Sequence, residues 1–181
     1  TNQLVLTGNL DEVGSPIRAN VGKSYRTGIE LSLACVLHDK INWQVNGTAS
    51  MNRNIDYGYD ESDVTKRKNT AIILSPNWIA GSQLAWLPIK KVEAALLTKY
   101  VGEQYLDNTQ RTQSRLDDYL VNDLRITWKL HPKDVNEVSV GLLINNLLDV
   151  KYVSNGFMYA GTPYYYPQAG RNFLVMLTAK L

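Results

Sequence analysis

The sequence predicts an all-β fold, an antiparallel up-and-down transmembrane β-barrel to which this chain contributes about eight strands. Three observations carry that prediction. Segments of strict period-two alternation recur along the chain, each with one apolar and one polar face. The connections between them alternate between short and long, as the turns and loops of membrane barrels do. Three of the four tryptophans, Trp43, Trp86 and Trp128, lie within about five residues of three different short connections, on the apolar face of their strands.

Composition is compatible with this. The 181 residues are 44% hydrophobic, a content that suits a barrel whose strands face lipid with only every second residue. The chain has no run of 18 or more apolar residues, which excludes a transmembrane helix. A net charge of +2 is too small to point to nucleic acid, and Lys66-Arg67-Lys68 reads as a solvated loop. The first residue is Thr1, without a signal peptide, so the expectation is a fragment or a processed chain. The single cysteine, Cys35, shares a face with Ile29, Leu31 and Leu33 and reads as a small apolar side chain.

In order, residues 3–8 predict a short strand and 9–23, with Gly14, Pro16 and Gly22, a long loop. Residues 25–38 predict a strand, and His38-Asp39-Lys40 a tight turn. Residues 41–54 alternate most clearly: Ile41, Trp43, Val45, Gly47, Ala49 and Met51 against Asn42, Gln44, Asn46, Thr48, Ser50 and Asn52. A polar loop over 56–68 precedes a long strand over 70–88, with a bulge near Pro76 or Gly81. Residues 91–104 return. A loop at 107–114 leads to a strand over 115–130, and 131–136 turn into the last hairpin. Its first strand runs from Val138, and its final strand carries Phe173, Val175, Leu177, Ala179 and Leu181 on one face.

These patterns assign faces. Trp43, Val45, Leu84, Trp86, Leu96, Ile126, Trp128, Leu142, Val175 and Leu177 should face lipid. Asn42, Gln44, Asn46, Glu93, Asp123, Arg125 and Asn145 should face the lumen. Trp43, Trp86 and Trp128 would form one membrane girdle. Trp78, eight residues from Trp86, would stand roughly 20 Å higher, near the opposite girdle.

The run Asn146-Leu147-Leu148-Asp149-x-x-Tyr152, then Pro167-x-x-Gly170-Arg171-x-Phe173 and a terminal strand, resembles the carboxyl end of TonB-dependent outer-membrane receptors. QLVLTG at 3–8, SYRTGIEL at 24–31 and SPNWIAGSQLAWLP at 75–88 resemble earlier barrel segments of that family, in order. The resemblance implies a 22-stranded barrel of the Gram-negative bacterial outer membrane, plugged by an amino-terminal domain. It implies active transport of a scarce ligand, such as a ferric chelate in siderophore uptake, cobalamin or an oligosaccharide, energised through TonB. Residues 1–181 would then be the carboxyl-terminal segment of the barrel, with the plug domain absent from this chain. The implied partners are outer-membrane lipid, the remainder of the barrel and plug, and the TonB complex through the amino-terminal part. The rival is a closed eight-stranded barrel, either a small outer-membrane protein or a ligand-binding barrel. Pairing of 3–8 with 172–180 would distinguish it.

Nothing in the sequence suggests catalysis. His38 and His131 both fall at short turns, and no His-x-x-x-His, Cys-x-x-Cys or phosphate loop occurs. The acidic run Asp56–Asp63 does not match a twelve-residue calcium loop. No enzyme, metal or cofactor is expected. The candidate ligand contacts are aromatic residues of the long loops: Tyr59, Phe157, Tyr159 and Tyr164. Aromatics of this kind supply rigid contact area at a binding mouth. The alternative is that the tyrosines around 152–166 only pack their loop and extend the girdle.

Overall fold

The computed structural model describes residues 3–58, 66–130, 132 and 137–180. They form fourteen strands: β1 (Gln3–Leu10), β2 (Pro16–Val21), β3 (Ser24–His38), β4 (Ile41–Gly58), β5 (Lys66–Ala71), β6 (Trp78–Ile89) and β7 (Val92–Val101), then β8 (Gln104–Tyr105), β9 (Arg115–Leu116), β10 (Tyr119–Leu130), β11 (Glu137–Asn145), β12 (Val153–Tyr159), β13 (Thr162–Pro167) and β14 (Asn172–Lys180). The only described helical piece is a single 3₁₀ turn, Thr112–Ser114.

The wall is one antiparallel sheet in the order β14-β11-β10-β7-β6-β4-β3, with β5 also paired to β4. Its strands therefore follow one another up and down, as the alternation predicts. The sheet holds eight strands, but the eighth is β5. Residues 3–8 were expected in the wall; they lie instead in a separate hairpin, β1 against β2. The reason is local. Asp11 Oδ1 accepts the backbone N–H groups of Val13 and Ser15 at 3.0 and 2.7 Å, and Gly14 supplies φ +83°. This closes a turn inside the expected loop and sends the chain back on itself. Among the described residues β14 pairs only with β11, so the pairing that would mark a small closed barrel is not there.

The expected strand over 70–88 is broken. Both halves lie along the same edge of β4: β5 pairs with its residues 53–58 and β6 with its residues 41–49. Pro76 sits in the gap and has no N–H to give to a ladder. The edge of β4 is served there by Ser50 N–H donating to Asn77 O at 2.8 Å and Ile72 N–H donating to Asn52 O at 3.1 Å. Gly81, the other candidate for a bulge, lies in regular register opposite Asn46 and Lys99. The strands expected at 91–104 and 115–130 are shorter in the wall, because Gln104–Tyr105 and Arg115–Leu116 pair with each other above it. The expected loop over 152–166 is largely the hairpin β12–β13.

Short connections join β3 to β4, β6 to β7 and β10 to β11, so all three lie at one end of the antiparallel sheet. His38 serves the first of them, its Nδ1 accepting Lys40 N–H at 3.4 Å. His131 lies outside the described residues.

The ladders carry the face assignment across the wall. One row of partners reads Cys35, Trp43, Leu84, Leu96, Leu124, Ile144 and Phe173. The neighbouring row, one residue away on every strand, reads Ala34, Gln44, Gln83, Leu97 and Asp123 and, beyond the end of the β10–β11 ladder at Leu124–Ile144, the pair Asn145 and Asn172. All ten residues assigned to lipid share the first face, and all seven assigned to the lumen share the second. A one-residue slip in any ladder would have mixed them.

A single sheet layer buries little; apart from the cross-strand pair Ala85 and Ala95 near the short turns, most of the enclosed residues lie toward the long-connection end. There residues 102–118 fold over the polar face of β4 and β5. Ile72, Leu106 and Leu116 are buried, together with Asn54, Asn108 and Ser114. Asn108 Oδ1 accepts Asn54 Nδ2 at 3.1 Å and Ile73 N–H at 3.2 Å. Gln110 Oε1 accepts Ala71 N–H at 3.1 Å and Arg53 Nη1 at 3.3 Å. Side-chain amides thus replace the ladder where the strand is interrupted.

Leu124 sits in the middle of the apolar face of β10. Leu124→Arg is expected to destabilise the protein in a bilayer by about 2–4 kcal/mol, and Asn46→Arg on the lumen face by little. Urea titration in lipid vesicles measures both.

Candidate functional site

The polar face of the wall is a site because its side chains converge on a concavity. A cleft of ≈ 750 Å³ opens over Gln44, Asn46, Gln83, Lys99, Asp123 and Asn145. Each comes from the lumen-facing register of β4, β6, β7, β10 or β11, so the cleft needs these five strands side by side. Its far side is formed by Tyr119, Tyr152 and Gln168. The Tyr119 and Tyr152 rings pack with centroids 4.4 Å apart. Asn145 Nδ2 donates to Asn172 Oδ1 at 2.8 Å, which ties the cleft edge to β14. Nearer the short turns, Arg125 Nη2 lies 3.5 Å from Glu93 Oε1. The cleft therefore offers amides, one ammonium and one carboxylate to a polar occupant, with an aromatic wall at one end.

The motif that the sequence singled out is the bracket that holds this end together. Asn146 and Asp149 both adopt left-handed backbone, φ +50° and +53°, a conformation that Asn and Asp tolerate better than other non-glycine residues. Asn146 is buried. Its Oδ1 accepts Val150 N–H at 2.9 Å, and its Nδ2 donates to Val150 O at 2.9 Å and Ala169 O at 3.2 Å. Its backbone N–H donates to Asp123 Oδ1 at 2.7 Å, so the lumen carboxylate is part of the bracket. Asp149 Oδ1 accepts Arg171 N–H at 2.9 Å and Lys151 Nζ at 3.1 Å. The Arg171 N–H, and after it Lys151, hold the Asp149 carboxyl below its ordinary pKa. Gly170 gives the carboxylate its room, since a Cβ there would stand 2.5 Å from Asp149 Oδ1 and push it from its place. Sequence reading found this motif only as a family signature; its structural work depends on contacts some twenty residues apart.

Above the bracket stands the hairpin β12–β13, fastened at its base by Gln168 N–H donating to Tyr152 O at 3.1 Å. Ala160 and Gly161, φ +46° and +77°, make its two-residue turn. Three of the four expected ligand contacts are on this hairpin. Phe157 and Tyr164 are cross-strand partners and stack at 5.2 Å, while Tyr159 meets Tyr164 edge-on at 6.4 Å. Tyr166 joins them at 5.9 Å from Phe157. All four rings are exposed. They gather on one face of the hairpin and do not line the cleft, whose aromatic lining residues are Tyr119 and Tyr152. Tyr119 was missed as a site residue because it reads as an interior residue of the strand expected over 115–130. Tyr59 lies outside the described residues.

The ladders also fix the relative positions of the tryptophans. Ile41, Trp86, Ala94 and Ile126 form one row. Trp43 lies two residues from it toward the long connections, and Trp128 two residues toward the short turns. Trp78 is at the far end of β6. Among the described residues, no three His, Cys, Asp or Glu side chains group as metal ligands would.

Comparison with known proteins places this arrangement. The family model described as "TonB dependent receptor-like, beta-barrel" matches residues 1–147. No curated protein matches the chain. Among solved structures, the siderophore receptor PiuA from Acinetobacter baumannii is 20% identical with a TM-score of 0.72, over 97% of this chain and 24% of that one. The ferric yersiniabactin uptake receptor FyuA from Yersinia pestis is 21% identical with a TM-score of 0.66, over 88% and 23%. BauA, the ferric preacinetobactin receptor from Acinetobacter baumannii, is 15% identical with a TM-score of 0.66, over 99% and 25%. The chain thus spans about a quarter of the length of the solved structures it matches.

Asn146→Ala would leave the Val150 and Ala169 backbone groups without their partner. Val150 is half-buried and Ala169 exposed, so water replaces part of what is lost; the expected cost is about 1 kcal/mol for each hydrogen bond removed, with faster amide exchange at Val150. The depressed Asp149 pKa implies stability that is present above the ordinary carboxylate pKa and lost as pH falls through the lowered one. The Arg171 amide resonance should titrate below the ordinary carboxylate range, and Asp149→Asn should abolish that titration.

Proposed function

The chain belongs to the TonB-dependent receptor β-barrel family, and from that premise we propose that it forms the carboxyl-terminal part of the wall of a receptor that imports a ferric chelate. Members of the family are receptors of the Gram-negative outer membrane and not enzymes. The observation that supports the reading best is the pair of adjacent rows across the wall, one apolar and one polar, with the polar row opening on a cleft. That arrangement suits a wall between lipid and a hydrated lumen.

The ligand class rests on the named relatives, which are a siderophore receptor and two receptors for ferric chelates. Phe157, Tyr159 and Tyr164, stacked and exposed at the long-connection end, are the proposed first contacts for such a ligand. The cleft with Lys99, Asp123 and the paired Tyr119 and Tyr152 is the proposed next station. Energy would come through TonB by way of a plug domain outside residues 1–181.

The tryptophan girdle belongs to the same proposal. From Trp43 to Trp128 the drop along the strands is four residues, about 13 Å, across three strand spacings, about 14 Å. That slope of about 42° falls inside the 35–45° tilt of membrane barrels. In a wall so tilted, Trp43, Trp86 and Trp128 stand at one height and Trp78 roughly 20 Å above them.

The test is growth and uptake. A strain deprived of its own iron receptors and carrying the whole protein should take up at least one ferric siderophore under iron limitation, dependent on TonB. Phe157→Ala and Tyr164→Ala should each weaken whole-cell ligand binding roughly fivefold or more, the loss expected of an aromatic anchor worth over about 1 kcal/mol. Uptake of cobalamin or an oligosaccharide, with no ferric chelate, would reassign the ligand.

A further inference from the structure

The lipid-facing side of the wall is not flat between Trp43 and Trp78. Gly47 and Ala80 are cross-strand partners, and Ala49 is the partner of Trp78. Three adjoining positions therefore carry nothing larger than a methyl group. On one side Leu31 and Ile29 stand opposite Gly47 and Ala49 in the next ladder; on the other Tyr100 stands opposite Ala80. Trp78 closes the upper end. The result is a trough of ≈ 670 Å³ with walls of carbon, within the range of roughly 300–1,000 Å³ that small-molecule ligands occupy. Its ridges are bare: Ile29, Leu31 and Trp78 are 66%, 72% and 61% exposed.

Two further features describe what fits. The floor offers no hydrogen bond, because its backbone groups are spent in the β3–β4–β6–β7 ladders. The upper rim changes character. Trp78 and Tyr100 also border a second depression formed with Asn77, Glu103 and Asp118, and the Tyr100 hydroxyl donates to Asp118 Oδ2 at 3.1 Å. The surface thus passes from carbon to amide and carboxylate on going toward the long connections, which in outer-membrane barrels face the outside. This is the polarity profile of a lipid with its chain inward and its head group at the interface.

We propose that the trough seats one acyl chain of an outer-leaflet lipid, with the lipid's polar end at the Asn77–Tyr100–Asp118 rim. The chain fills the gap over Gly47 and Ala80 and gains dispersion contact from both ridges and from the Trp78 ring. A lipid held here is distinct from the surrounding bilayer lipid, which meets only the crests of the wall.

Gly47 makes the test clean. A Cβ placed there meets only Ile79 O, at 3.9 Å, so a large side chain fills the trough without disturbing the sheet. The whole protein would be reconstituted in nanodiscs and released for native mass spectrometry as wild type, Gly47→Phe and Ala94→Phe. Ala94 lies on the same lipid face but outside the trough. Wild type and Ala94→Phe are expected to retain one lipid that Gly47→Phe loses. Equal lipid retention in all three overturns the proposal, as does a stoichiometric protein subunit, in place of lipid, on the wild type alone. If Gly47→Phe fails to fold, Ala49→Leu in the same trough is read by the same criterion.

Discussion

A strand that crosses a bilayer has no water to satisfy its backbone, so every N–H and C=O between the interfaces must find a partner in a neighbouring strand. The rest of this structure follows from that constraint. It demands continuous antiparallel ladders from β3 to β14. Continuous ladders fix one register, and one register gives every residue either to lipid or to the lumen. Cys35, Trp43, Leu84, Leu96, Leu124, Ile144 and Phe173 come to lie in one row because the ladders are unbroken at that level.

Where the ladder fails, the structure repairs it with side chains. The gap between β5 and β6 is bridged by Ser50, Asn52 and the amides of Asn108 and Gln110. The end of β11 is secured by Asn146 and Asp149. Both repairs lie at the long-connection end, and there the loops pack into the buried cluster around Ile72, Leu106 and Leu116. The same packing holds up the hairpin with its exposed aromatics. Lumen cleft, bracket and hairpin are therefore one connected assembly: Asp123 faces the cleft and also accepts the Asn146 N–H, and Tyr152 borders the cleft and also anchors the base of the hairpin.

The lipid face and the lumen face are shaped by the same alternation but ask different things of their small residues. On the lumen side Gly81 leaves room for the Asn46 carboxamide, which would stand 3.0 Å from a Cβ. On the lipid side Gly47 leaves a space that no described residue fills. A glycine in a strand therefore marks a close neighbour in one case and an external one in the other.

Period-two alternation by itself determined the wall strands β3, β4, β6, β7, β10, β11 and β14, their faces and their short-turn ends, because a side-chain period of two is a property of the local backbone. It placed Trp43, Gln44, Leu124 and Asp123 correctly with no knowledge of their neighbours. It could not determine which strands pair. Residues 3–8 read as a wall strand yet pair with 16–21, because a turn closed by the Asp11 side chain competes with the sheet and alternation is blind to partners. Residues 70–88 read as one strand, but Pro76 and the amides of a loop thirty residues later decide that they are two. Phe157, Tyr159 and Tyr164 were legible as loop aromatics, and Tyr119 as a cleft residue was not. That residue gains its role from Tyr152, which is far away in sequence and is brought to it only when Asn146, Asp149 and Gly170 fold the last connection back onto the wall.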